Sequence, residues 1–151
     1  MRARVTLSFL IPALSMFALG CSGARPPGLG VKDGKLAPCP ASPNCVSSQS
    51  SDAEHALAPL PFSGTVREAH AKLKQVLLGM KRARIITETD TYIHAEFTSL
   101  VFRFVDDVEF LIDGNGKVVH VRSASRMGQS DLGVNRKRVE DIRARWKAMV
   151  K

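Results

Sequence analysis

The chain of 151 residues has room for one globular domain, and neither an internal repeat nor a second block of periodic sequence is visible. Its net charge is +8 at pH 7, but the excess is confined to one end: Arg122 to Lys151 holds nine Lys/Arg against three Asp/Glu, while Cys21 to Val121 has eleven of each. A basic stretch of this kind normally points to nucleic acid, anionic lipid or an acidic polymer.

Residues 1–20 read as a lipoprotein signal peptide. Arg2 and Arg4 give a positive start, an apolar run follows from Val5 to Leu19, and small residues stand at Ala18 and Gly20. The run is shorter than the roughly 20 residues a spanning helix needs, and Pro12 weakens it further, so a permanent membrane helix is the poorer reading. Ala18-Leu19-Gly20-Cys21 resembles a lipobox, although Ala18 and Leu19 are swapped relative to the commonest order and an ordinary signal peptidase could also cut there. Three cysteines make an odd set, and lipidation of Cys21 leaves Cys39 and Cys45 as a pair. The expected location is therefore the cell envelope, with the chain lipid-anchored in the membrane. Ser22 favours the periplasmic face of an outer membrane where the cell has one. Export removes nucleic acid from the candidate partners and leaves an anionic envelope ligand or an envelope protein.

Residues 21–35, rich in Gly and Pro and without periodicity, read as a flexible tether; residues 36–151 form the single domain. Cys39 and Cys45 bracket a turn-rich Pro40-Ala41-Ser42-Pro43-Asn44, and in an oxidising compartment a disulfide is the expected product. Two thiols alone make a poor zinc site, and redox pairs are usually spaced more tightly. From Leu36 to Pro61 no regular pattern is visible, and the segment is expected to coat the domain with Leu57 and Leu60 tucked in.

Val66, Ala69, Leu73, Val76, Leu77 and Met80 share one helical face, with Ser63 or Thr65 as cap. Strand-favouring segments follow at Arg84 to Glu88, Tyr92 to Thr98, Leu100 to Ile112 and Lys117 to Ser125, joined by links that fit only antiparallel neighbours. A last helix starts at Leu132 or Arg136 and runs to Met149, with Val139, Ile142, Trp146 and Met149 as its stripe. The expected fold class is α+β: a four-stranded antiparallel meander with an N-terminal and a C-terminal helix packed on one face.

Three clusters could carry chemistry. Asp106 and Asp107, with Glu109, could supply general acid/base carboxylates if burial separated their pKa values. Ser123 and Ser125 could be reactants beside them, although neither a Gly-x-Ser-x-Gly elbow nor a Ser-x-x-Lys stands here. Arg122, Arg126, Arg136 and Arg138 could bind an anion, helped by the amide end of the last helix, which Asp131 or Asn135 could instead cap. Bridging the aspartates is the plainer use of those arginines. His94, Glu96 and His120 could share a sheet face, but no histidine has a recognisable metal-ligand spacing, so neither metal nor cofactor is expected.

Cys39-Pro40-x-Ser42-Pro43-Asn44-Cys45-Val46-Ser47-Ser48, Phe102-Arg103-Phe104-x-Asp106-Asp107-Val108-Glu109-Phe110, and Arg122-Ser123-Ala124-Ser125-Arg126-x-Gly128-x-Ser130-Asp131-x-Gly133-x-Asn135-Arg136-x-Arg138 stand in that order. With these three motifs the chain, from about Leu36 to Lys147, resembles the domain-of-unknown-function 1499 family of bacterial exported proteins and lipoproteins. The resemblance implies no activity. It marks the aspartate and arginine clusters as a shared signature, and so implies that they meet in space.

The leading expectation is a monomeric, non-enzymatic envelope lipoprotein that binds an anionic ligand or a protein partner through Arg122 to Arg138. One alternative is a small hydrolase using Asp106 or Asp107 with Ser123 or Ser125; another is a signature that is purely structural.

Overall fold

A computed structural model describes residues 23–150, so the expected signal peptide and the lipidation site Cys21 lie outside the described residues. In chain order the elements are β1 (Val31–Lys32), β2 (Lys35–Leu36), β3 (Cys45–Ser47), β4 (Leu60–Pro61), α1 (Val66–Leu78), β5 (Ala83–Glu88), β6 (Tyr92–Thr98), β7 (Val105–Asp113), β8 (Val118–Ser125) and α2 (Val134–Met149). β1 and β2 form a small hairpin of their own, and the main sheet runs β3-β8-β7-β6-β5.

The α+β class holds, with every ladder antiparallel, but the main sheet has six strands rather than the expected four. The meander β5 to β8 is present; β3 and β4 are added end to end along the free edge of β8, opposite Arg122 to Ala124 and opposite Val118 and Val119. Both come from the stretch that shows no pattern in the sequence. They are three and two residues long, too short for a two-residue alternation to declare itself.

The strand expected from Leu100 begins instead at Val105. Residues 99–104 are the tip of the β6–β7 hairpin, closed by Ser99 N donating to Phe104 O at 2.8 Å and Phe104 N donating to Ser99 Oγ at 2.9 Å. Arg103 takes the left-handed conformation at φ 58°, which no ladder accommodates, so a run with the composition of a strand leaves the sheet.

Alternation along β6, β7 and β8 sorts their side chains onto two faces. Ile93, Ala95 and Phe97 of β6 join Val108, Phe110 and Ile112 of β7 and Val119 and Val121 of β8 on one of them. Ala69, Leu73, Val76 and Leu77 of α1 and Val139, Ile142 and Trp146 of α2 pack onto that face in a single core. α1 starts in a capping box: Thr65 Oγ1 accepts from Glu68 N, and Glu68 Oε2 accepts from Thr65 N. α2 has no side chain at its cap, because Gly133 stands there at φ 78°; Asp131, just before it, accepts from Gly133 N and Asn135 N.

Between β3 and β4 the coating segment is also held by α2. Arg136 donates to the carbonyls of Glu54 and Ala56, Arg143 to those of Ala58 and Pro59, and Trp146 Nε1 to that of Pro61. Leu60 is thereby fully buried and Leu57 packed against the core. The Cys39–Cys45 disulfide is formed and pins the loop just before β3. Breaking so small a loop, in Cys39→Ser/Cys45→Ser or with reductant, is expected to cost about 2 kcal/mol. Urea unfolding of the reduced and oxidised protein checks this; equal midpoints would contradict it.

Candidate functional site

The second face of the sheet is polar and nevertheless buried. Tyr92, His94 and Glu96 of β6, Asp107 and Glu109 of β7, and Arg122 of β8 all lie on it. Glu109 is 0% exposed and Asp107 1%. Residues of the segment before β3 cover them: Gly30 N donates to Glu109 Oε1 at 2.7 Å, and Arg25 pairs with Glu96 at 2.6 Å. The stretch expected as a tether thus reaches the polar face at both of these points.

Two networks share this face. Around Glu109, Tyr92 Oη donates to Oε1 at 2.8 Å and Arg122 Nη1 to Oε2 at 3.1 Å, so three different segments converge on one buried carboxylate. Around Asp107, Arg126 binds both carboxylate oxygens, Nε to Oδ2 at 2.8 Å and Nη2 to Oδ1 at 2.7 Å, while His94 Nε2 donates to Oδ1 at 2.8 Å. Glu96 joins through Arg126 and Arg25. Burial pushes the Asp107 carboxyl up, but Arg126 and His94 together outweigh it and hold the group below the ordinary aspartate value. Glu96 is likewise raised by burial and lowered further by Arg25 and Arg126. Arg126 is pushed up, chiefly by Asp107, and the Tyr92 phenol is pushed up by burial and by Glu109 beside it.

Asp106 faces the other way, toward α2. Arg138 pairs with its carboxylate, donates from Nη1 to Ser123 Oγ at 3.1 Å and to Asn135 Oδ1 at 2.6 Å, and lies 5.1 Å from the centroid of Phe97. Ser123 donates to Asn135 Oδ1, and Asn135 Nδ2 donates to Asn44 O at 2.9 Å and Ser125 Oγ at 3.0 Å. Asn44 Nδ2 in turn donates to Gly128 O at 2.6 Å. One residue or more from each of the three sequence motifs is therefore in a single hydrogen-bonded cluster.

The candidate residues come together differently from a catalytic constellation. Asp106 and Asp107 are separated by the thickness of the sheet, and Ser123, 0% exposed, lies on the Asp106 side. Arg122, Arg126 and Arg138 each hold a carboxylate, and Arg136 holds two backbone carbonyls. The amide end of α2 is already occupied by Asp131. His120 shares the face of His94 and Glu96, two positions along β8 from Arg122, and lies beside Ser48 at 3.3 Å. An open cleft of roughly 390 Å³ lies over the polar face, between Pro26, the Cys39–Cys45 loop, Arg122 and Arg126. Arg122 Nε is buried there without a hydrogen-bond partner among the described residues.

Tyr92 and Asn44, which the sequence does not single out, and His94, Glu96 and Asn135, which it offers only as a possible metal face and a helix cap, complete the networks. Tyr92 and the His94/Glu96 pair do so on the polar face, the two asparagines around Asp106. For the three on β6 the signal is the alternation Tyr92-x-His94-x-Glu96, which puts three polar groups on one strand face. For the two asparagines it is only their place inside the motifs.

The model of the family described as a protein of unknown function (DUF1499) matches residues 35–145, and the chain belongs to that family. A search of curated proteins finds no match to the chain.

Asp107→Asn leaves Arg126 with Glu96 as its one remaining carboxylate and is expected to destabilise the domain by about 2–3 kcal/mol. Because Glu96 and Asp107 have folded pKa values below their ordinary 4.5 and 3.8, their pairs contribute fully above about pH 4.5 and are lost as the pH falls through the lower folded values. Urea midpoints followed by circular dichroism should fall with acid in the parent and fall less steeply in Asp107→Asn. Parallel acid limbs would contradict the assignment.

Proposed function

We propose that the protein is an exported, lipid-anchored envelope domain without catalytic machinery, whose arginine signature holds its layers together and whose function is binding at its outer surface. The observation that carries this reading is the mutual pairing of the signature: each arginine and aspartate expected to do chemistry is paired with another signature group or a backbone carbonyl. A ligand anion would have to displace a carboxylate from Arg126 or Arg138. The hydrolase reading is weakened because Asp107 lies on the other face from both serines, while Asp106 and Ser123 share a face but are held by Arg138 and Asn135 in a closed hydrogen-bond network.

One observation favours a second reading, in which the cleft over the polar face takes a small anion. Arg122, whose buried Nε has no hydrogen-bond partner among the described residues, lines that cleft, and Arg126 lines it as well. Three carboxylates balance the three arginines of this face, which weakens the pull on an anion.

The anchor is tested on the full chain in bacterial cells fed labelled palmitate. The parent should incorporate label and sediment with membranes; Cys21→Ser should lack label and move to the soluble fraction. An unlabelled parent would remove the lipid anchor from the proposal.

A further inference from the structure

Seven of the nine large exposed apolar side chains among the described residues are gathered at one end of the sheet. Leu100, Val101 and Phe102 at the tip of the β6–β7 hairpin are 70%, 74% and 68% exposed, and the Phe102 and Phe104 rings stack with centroids 5.5 Å apart. Met127, Leu132 and Val134, in the link from β8 to α2 and at the start of that helix, add a second exposed group, with Leu132 at 94%. The two groups belong to the same end, because Arg126 N donates to Val105 O, where the hairpin tip rejoins the sheet. Exposed basic residues stand among them: Arg103 on the tip itself, Arg82 bonded to Thr98 beside it, and Lys137 one turn into α2. Monomeric soluble domains rarely leave aromatic and aliphatic side chains projecting together from a loop tip.

The described chain begins at the same end. Gly23 is packed so closely on it that a methyl group there would stand 3.0 Å from Arg126 Cβ and 3.1 Å from Met127 Cγ. Cys21 is two residues earlier in the sequence, a length of chain of at most about 7 Å between Cα atoms. On the lipid-anchor reading, so short a length of chain from Gly23 keeps the bilayer surface close to this end of the domain.

We propose that this end of the domain is a membrane-docking surface: the 99–104 tip and Leu132 insert among the acyl chains at the headgroup boundary, and Arg82, Arg103 and Lys137 meet anionic headgroups. The inference deepens the lipid-anchor reading and rests on it. Apolar side chains at the tip with cations behind them match the order of the interface, acyl chains below and phosphates above. It fixes the orientation of the domain, with the β7–β8 turn at Asn115 pointing away from the lipid, roughly 30 Å off by the length of a nine-residue strand.

The test uses the full chain, purified from bacterial membranes and reconstituted into vesicles of phosphatidylethanolamine and phosphatidylglycerol, with and without brominated acyl chains. Trp146 is buried and gives a constant background, so tryptophan is added singly as Phe102→Trp, Leu100→Trp or Asn115→Trp. The expected result is a blue-shifted added emission at 100 and 102 that brominated lipid quenches about twofold, and no quenching at 115. Equal quenching at 102 and 115, or none at either on vesicle-bound protein, would overturn the proposal. The mass of the N-terminal peptide reports the anchor separately: a lipidated Cys21 with an unquenched tip sinks the docking surface alone. An unlipidated chain whose tip is still quenched supports the surface and removes the anchor, and a chain that ignores the vesicles overturns both.

Discussion

Asp106 and Asp107 are neighbours in the chain, and because they lie in a strand their carboxylates must leave on opposite sides of the sheet. Each then holds a different layer. Asp106 takes Arg138 and with it the first turns of α2; Asp107 takes Arg126, which also grips Glu96, and Glu96 holds Arg25 of the covering segment. A slip of β7 by one residue would exchange the two aspartates and put Val108 and Phe110 under the polar cover. The pair therefore specifies register as well as connecting layers.

Buried ion pairs are weak sources of stability, since desolvation offsets most of the attraction. Their effect here is better described as exclusion of alternatives. A sheet face carrying Asp107, Glu109, Arg122 and His94 is tolerable only when every one of those groups finds its partner, and this arrangement of β6, β7, β8 and the segment from Arg25 to Leu36 supplies them. The apolar face contributes the driving force, through the core between the sheet and the two helices. α2 serves both ends of this arrangement. Its apolar stripe enters the core, while Arg136, Arg143 and Trp146 satisfy the carbonyls of a segment that has few backbone partners.

Much of the architecture was legible because its elements are long enough to show a period. The stripe of α1, the strands β6 and β8 and the stripe of α2 stand where the sequence puts them, and the turn-rich stretch between Cys39 and Cys45 points to the disulfide that is formed. The short strands β3 and β4 were not legible, since two or three residues carry no period and their pairing depends on the free edge of β8. The tip at 99–104 was misread for a different reason: Leu100 to Val105 has strand composition, and only the left-handed Arg103 and the bonds of Ser99 reveal the turn. At the site, the motifs predicted that aspartates and arginines would meet. They did not reveal which arginine meets which aspartate, because that depends on face, and face depends on the exact register of β7 against β8.

Two independent sets of ion pairs, one per face, fasten two different layers to one sheet. Native-state hydrogen exchange on Arg138→Met and Arg126→Met tests this most directly. The account predicts faster exchange along α2 in Arg138→Met and faster exchange in residues 23–41 in Arg126→Met, each leaving the other layer as in the parent. Exchange unchanged in both variants, or a uniform rise across the whole domain in each, would contradict it.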